Sequence, residues 1–350
     1  MECQTEHWRG IDVKSKKVAI VGTGASGVQC IQEIGPEAGH LTVFQRTPNL
    51  CLPMNQQKLD SDAQTEQERK AYYDWAHKYR RETFAGMHFD FSHKSGADDT
   101  AEQNKSFFEG LWSTGGFPFW LGTYKDVLFN KTVNDTAYEF WAEKTRARIN
   151  DPKKKDILAP LLKNQPHTFG TKRPSLEQRY YEVYNQGNVD IIALKQNPIE
   201  TFTETGIKMK NGDEHQFDII ILATGFDFVT GGLCQIDIKG TDGTLLRDKW
   251  AKGTKTYLGM ATANFPNMFF LYGPQAPTAF ANGPTFVELQ GDWIIEAIDY
   301  CTKNNKKTID TTAKFEAGWM KHVAELNEIT LFSGTDSWYM GCVTCQPLKF

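Results

Sequence analysis

The chain has 350 residues, a formal net charge of −4, 40% hydrophobic residues and 23% charged residues. Such a length and composition specify a globular protein of two or three domains and exclude a disordered chain. The acidic balance argues against a nucleic-acid partner, and no apolar stretch reaches the length of a membrane span. The polar start Met1-Glu2-Cys3-Gln4-Thr5-Glu6 does not read as a signal peptide. Seven cysteines, an odd and mostly widely spaced set, fit a reducing cytoplasmic compartment. Cys342 and Cys345 form a lone C-x-x-C that reads as two ordinary thiols, so no metal site is expected.

The first element, Lys17-Val18-Ala19-Ile20-Val21, is short and β-branched and reads as a buried parallel strand. Gly22-Thr23-Gly24-Ala25-Ser26-Gly27 follows at once and completes a G-x-G-x-x-G turn. Residues 28–34 carry apolar side chains at helical spacing, and residues 41–44 form a second strand. Strand, glycine turn, helix and strand make half of a doubly wound α/β unit of the Rossmann type. In such a turn the first glycine closes the bend, the second lets backbone approach a pyrophosphate, and the third lets helix pack on strand. The helix N-terminus offers free N–H groups and a positive dipole end to the phosphate. Dinucleotide-binding strands that read NAD end on Asp or Glu, which bonds the ribose hydroxyls. Here the position carries Gln45-Arg46-Thr47. A guanidinium fork and a hydroxyl suit a 2′-phosphate that an acid would repel, so the expected coenzyme is NADPH, read by Arg46 and Thr47.

From about residue 60 to 165 the texture changes. Residues 66–83 and 134–150 are polar with aromatics at helical spacing, such as Tyr72, Trp75 and Tyr79. Residues 110–120 between them read as a glycine- and aromatic-rich loop, and the whole stretch reads as a mostly helical insertion, partly a lid over a ligand or else a packing domain. Strands resume at 189–194, 199–205 and 207–210, and Asn211-Gly212 signals a hairpin before 214–217. Residues 217–222 read as a buried strand running into Ala223-Thr224-Gly225, at the sheet edge where such folds place ligands. Residues 268–272 read as another buried strand, and amphipathic helices follow at 285–303 and 311–328. The division this suggests is 11–60 plus 170–228 as the NADPH domain, 61–169 as a mostly helical insertion, and 229–350 as a partial FAD-domain portion.

Several strings together resemble the class B flavin-dependent monooxygenases, most closely the Baeyer–Villiger monooxygenases. They are Gly22 to Gly27, Phe44-Gln45-Arg46-Thr47-Pro48-Asn49, Lys172-Arg173-Pro174, Ala223-Thr224-Gly225-Phe226-Asp227, Thr256-Tyr257-Leu258-Gly259, Phe265-Pro266-Asn267 with Phe270-Leu271-Tyr272-Gly273-Pro274, and Ser337-Trp338-Tyr339-Met340-Gly341. The resemblance implies an FAD- and NADPH-dependent enzyme that takes O2 and a ketone and returns an ester or lactone. It implies that Arg46 and Thr47 hold the NADPH 2′-phosphate and that Lys172 adds a contact there. It assigns Arg173 as the catalytic arginine, whose fixed charge steadies an anionic oxygen adduct, and Trp338 as a tryptophan near nicotinamide and substrate. From the residues alone, Arg173 could equally form an ion pair with Glu177.

The departures from the pattern carry equal weight. The family begins with a separate FAD-binding βαβ unit bearing its own G-x-G-x-x-G, whereas this sequence has that turn only at residue 22. The family fingerprint is also largely absent: Trp8 matches its tryptophan, but Gln4 stands where its histidine belongs and Arg9 follows Trp8. Residues 342–350 look unrelated to the family's continuation. The chain thus resembles the middle and part of the carboxyl half of a monooxygenase. Three readings stand: an oxygenase that could take its missing FAD segment from a second chain, a non-catalytic NADPH-binding remnant, or an N- or S-oxygenating relative.

Overall fold

The computed structural model describes residues 2–4, 10–56, 65–226, 229–276, 280–337 and 339. At its centre lies a five-stranded, wholly parallel sheet in the order Glu2–Gln4, Ile219–Leu222, Lys17–Val21, His40–Gln45, Val189–Ala193. Side chains alternate across it with the period of a strand. Val18, Ile20, Leu41 and Val43 join the core that also takes Val28, Ile31 and Ile34 of helix Ala25–Ile34. Ala19, Val21, Phe44 and Ile220 meet the opposite layer through Ile207 and Met209. That layer is a three-stranded antiparallel sheet, Ile199–Phe202, Gly206–Met209 and Glu214–Gln216. Its Asn211-Gly212 turn is the expected hairpin, with Gly212 at φ +94°.

The sheet order reverses at Lys17–Val21: the chain first moves out to His40–Gln45 on one side, and Ile219–Leu222 later pairs on the other. Ligands of such folds bind at this switch point, beyond the carboxyl ends of the strands.

Between His40–Gln45 and Val189–Ala193 the chain makes a long helical excursion. Helices Glu66–Tyr79 and Ala101–Thr114 both start on capping boxes, Thr65 with Glu68 and Thr100 with Gln103. Residues 110–120 are mostly helical rather than the expected loop. Gly110 to Thr114 complete the second of these helices, and Pro118–Leu121 is a short helix of its own. Trp112, Phe119 and Trp120 are buried and belong to the core that continues into the central sheet. The glycines suggested a break, but the cap and the burial of Phe108 and Trp112 outweigh the roughly 1 kcal/mol that a mid-helix glycine costs.

Residues 268–272 are not a strand either. Apolarity gave them a buried-strand signature, but among the described residues no strand lies beside them to pair. Instead Phe270 N–H donates to the Met260 carbonyl and Tyr272 N–H to the Gln290 side chain, each at 2.7 Å. A third small core forms around Leu246, Trp250, Phe265 and Phe270. Helices Gly283–Lys303 and Ala313–Glu328 follow, close to expectation. The second is anchored by the buried Glu316, which accepts from Lys249 Nζ, Thr262 Oγ1 and Ala263 N–H, all at 2.8 Å. Trp293, Ile295, Ile298, Tyr300, Phe315 and Leu326 on these two helices remain exposed. No described helix is long and apolar enough to cross a membrane.

Candidate dinucleotide site

The glycine turn sits at the switch point, and each glycine meets a different environment. Gly22 has φ +109°, and a Cβ built on it would lie 2.3 Å from the Ala223 carbonyl oxygen. Only a residue without a side chain lets these two strand ends come so close. A Cβ on Gly27 would lie 2.3 Å from the Gly22 carbonyl oxygen, so the first helical turn packs directly on the bend. A Cβ on Gly24 meets nothing within 4 Å, and its backbone is extended at φ −71°. Neither packing nor conformation in the described structure calls for glycine at 24. Gly24 is the N-cap of Ala25–Ile34 and makes no side-chain cap, which leaves the first-turn N–H groups available to an anion.

Side chains stitch the turn to its neighbours. Thr23 Oγ1 donates to the Thr47 carbonyl at 3.0 Å. Asn49 Nδ2 donates to the Thr23 carbonyl at 3.1 Å and to Ser175 Oγ at 2.8 Å, while Asn49 Oδ1 accepts from Ser175 N–H. Asn49 therefore joins the glycine turn to the segment just after Lys172-Arg173-Pro174. Sequence reasoning quoted Asn49 only as part of a matching string, and nothing local marked it as a tie.

Arg46 leaves the carboxyl end of His40–Gln45 exposed to solvent and makes no ion pair with any described carboxylate. Thr47 is half-buried beside it. Thr224 and Gly225 are exposed just past Ile219–Leu222, and Ala223 N–H donates to the Val21 carbonyl at 2.8 Å. Trp338 lies outside the described residues, as do Trp8, Cys342 and Cys345.

The insertion braces the loop that carries Lys172 and Arg173. Fully buried Asn134 donates to the Val127 and Phe169 carbonyls at 2.8 and 2.9 Å and accepts from Phe169 N–H at 3.0 Å. Trp120 Nε1 donates to the Gly170 carbonyl at 3.1 Å, and a Cβ at Gly170 would lie 2.8 Å from that nitrogen. Thr171 Oγ1 bonds the Thr168 carbonyl at 2.7 Å.

Arg173 is exposed, with its guanidinium over the Phe117 ring at 5.5 Å. Its charge reaches Tyr272 and Tyr339, whose phenols burial pushes up and Arg173 draws back down. The ion pair with Glu177 that the sequence left open does not form. Glu177 is buried and gripped by Arg148 at 2.7 and 3.1 Å, and Arg148 also binds Glu182 at 2.6 and 2.8 Å. Arg173 thus keeps its positive charge uncompensated by any described carboxylate. Half-buried His167, six residues before Arg173, is held neutral to about pH 4, chiefly by desolvation and then by the charges of Lys172 and Lys195. Among the described residues no group of three His, Cys, Asp or Glu side chains is placed to hold a metal ion.

No family model matches the chain. It is 45% identical over 332 residues to the cyclopentanone 1,2-monooxygenase of a Comamonas species, covering 95% of this chain and 60% of the relative. It is 36% identical over 333 residues to a Baeyer–Villiger monooxygenase of Pseudooceanicola batsensis, covering 95% and 59%. The crystal structure of OTEMO in complex with FAD and NADP superposes with a TM-score of 0.91 at 34% identity, covering 96% of this chain and 63% of that one. The chain spans about three fifths of the length of the curated relatives it matches.

Proposed function

We propose, from the premise that the chain belongs by homology with the Baeyer–Villiger monooxygenases, that its glycine turn holds NADPH in the service of oxygen insertion beside a ketone carbonyl. The observation that carries this is the pairing of an open Gly24 at a helix N-terminus with Arg46 at the next strand end, unpaired with any described carboxylate. The N–H groups of the first helical turn would hold the pyrophosphate, and Arg46 and Thr47, with Lys172, would hold the 2′-phosphate. Bound FAD would supply the chemistry that reduces and activates O2, yielding an ester or lactone from the ketone. No second glycine turn that would cradle the flavin's own pyrophosphate lies among the described residues. What this chain's residues would do is therefore bind and orient the coenzyme and present Arg173. That guanidinium, stacked on Phe117 and free of described carboxylates, stabilises negative charge developing on oxygen beside it.

The exposed Trp293, Ile295, Ile298, Tyr300, Phe315 and Leu326 favour a second reading of how the chain works. A polypeptide segment carrying the flavin site, on this chain's own continuation or on a partner, would cover these helices. The test is to purify the protein, add FAD, and measure NADPH oxidation with cyclopentanone as probe, scoring lactone by gas chromatography. Tight NADPH binding with no lactone under any supplementation leaves coenzyme binding standing and removes the oxygenase. Equal binding of NADPH and NADH, unchanged in Arg46→Ala, removes the coenzyme assignment.

A further inference from the structure

The parallel strands His40–Gln45 and Val189–Ala193 are neighbours, with Gln45 opposite Ala193. Their carboxyl ends therefore lie at the same edge of the sheet. Pairing runs one step further, because Leu194 N–H donates to the Gln45 carbonyl at 2.8 Å. The chain then turns sharply, with both Gln196 N–H and Asn197 N–H donating to the Ala193 carbonyl at 3.0 and 3.1 Å. Lys195 is thus held at the tip of a tight turn, beside the strand end from which Arg46 departs. A third segment, braced by Asn134 and Trp120, brings Lys172 to the same place, since Lys172 and Lys195 both act electrostatically on the His167 imidazole. Arg46 and Lys195 are exposed, and no described carboxylate pairs with either. Cations collected from three loops repel one another, and an anion bound among them would offset that repulsion.

We propose that Lys195 is a further specificity residue of the coenzyme site, gripping the 2′-phosphate opposite Arg46 and beside Lys172. The inference rests on the reading that this edge binds NADPH. His167 stands at the same cluster as a neutral group. Its Nδ1 lies 2.9 Å from the Thr168 carbonyl, which can only accept, so Nδ1 carries the proton and Nε2 keeps a lone pair. Lys195 supplies the point charge; the fork of Arg46 supplies direction.

The experiment is calorimetric titration of the full chain with 2′,5′-ADP and 5′-AMP, and with NADP⁺ and NAD⁺. Wild type, Lys195→Gln and Lys195→Arg are compared at low and physiological salt. The expected result is a weakening of about tenfold in Lys195→Gln for the two ligands that carry the 2′-phosphate, the loss of one charge-assisted contact. 5′-AMP and NAD⁺ should bind unchanged, Lys195→Arg should retain most affinity, and the salt dependence should flatten in Lys195→Gln. Wild-type affinity of Lys195→Gln for 2′,5′-ADP overturns the role of Lys195 and leaves the NADPH reading intact. Equal weakening for all four ligands also overturns it, since that marks a damaged turn, which thermal melting would register. A wild type that does not distinguish 2′,5′-ADP from 5′-AMP refutes the underlying coenzyme reading instead.

Discussion

Replacing each glycine of the turn with alanine should separate binding from folding. At Gly24 the backbone already has a conformation open to alanine, and the added methyl meets nothing within 4 Å. The folding cost is then the lost N-cap preference alone, about 0.5–1 kcal/mol. The methyl does, however, project where a pyrophosphate would approach the helix N-terminus, so NADP⁺ affinity should fall at least about tenfold, or about 1.4 kcal/mol. Gly22→Ala is the converse. Its Cβ would lie 2.3 Å from the Ala223 oxygen, at φ +109°. Relieving that contact requires the two strand ends to part by about 1 Å, with overpacking of about 1–3 kcal/mol. The positive φ adds about 1–3 kcal/mol. A loss of about 2–6 kcal/mol is a large share of the 5–15 kcal/mol that holds a typical domain together. Thermal melts followed by circular dichroism, with NADP⁺ titration of every variant that remains folded, would check both halves. A folded Gly24→Ala that binds NADP⁺ like wild type would refute the reasoning, because the second glycine would then have no ligand to serve. Wild-type melting of Gly22→Ala would refute the packing argument independently.

Three further outcomes follow from the same structure. Asn134→Ala removes three hydrogen bonds at a fully buried position and leaves Phe169 N–H and two carbonyls without that partner. It should cost about 2–4 kcal/mol in urea unfolding and weaken NADP⁺ binding, because Lys172 loses its brace. Glu177→Gln breaks a buried bidentate pair and leaves Arg148 to Glu182 alone. The expected destabilisation is about 2–4 kcal/mol by the same measurement, at the lower part of the buried-pair range because Arg148 remains partly solvated. His167 gives the pH dependence: its folded value is depressed from 6.5 to about 4. The unfolded chain therefore binds the extra proton first, so the stabilisation is complete above about pH 6.5 and is lost as pH falls toward 4. The full shift corresponds to roughly 3–3.5 kcal/mol as an upper bound. Urea midpoints of wild type and His167→Asn at pH 7 and 4.5 should converge at the lower pH; a constant difference would show that His167 does not titrate in this window.

What could be read in the sequence is what adjacent residues decide. The bend at Gly22, the packing at Gly27 and the hairpin at Asn211-Gly212 each follow from backbone demands that a glycine meets within a few residues. The two strands flanking the turn announce themselves through β-branched runs bounded by breakers. The misreadings share one cause. Residues 268–272 are as apolar as a strand, but apolarity specifies burial and not a hydrogen-bonding neighbour, and Gln290, eighteen residues on, supplies the acceptor instead. Residues 110–120 resemble a loop locally because glycine disfavours helix, while the cap at Thr100 that starts the helix lies ten residues before Gly110.

The features that hold the site together were invisible for the same reason. Glu177 is four residues from Arg173 and twenty-nine from Arg148, yet it pairs with Arg148. Sequence proximity favoured the wrong partner because the i, i+4 rule holds only on a helix, and residues 173–177 are not one. The consequence bears on chemistry. An arginine neutralised by Glu177 would be a structural residue, whereas a Glu177 taken up by Arg148 leaves the Arg173 guanidinium uncompensated by any described carboxylate and resting on an aromatic ring. The bracing by the insertion was equally out of reach of local reading. Asn134 and Trp120 make it a buttress beneath the segment that carries Lys172 and Arg173. In the proposed site these cationic groups would be preorganised for anions by polar side chains from that distant helical block, which fix the backbone bearing them.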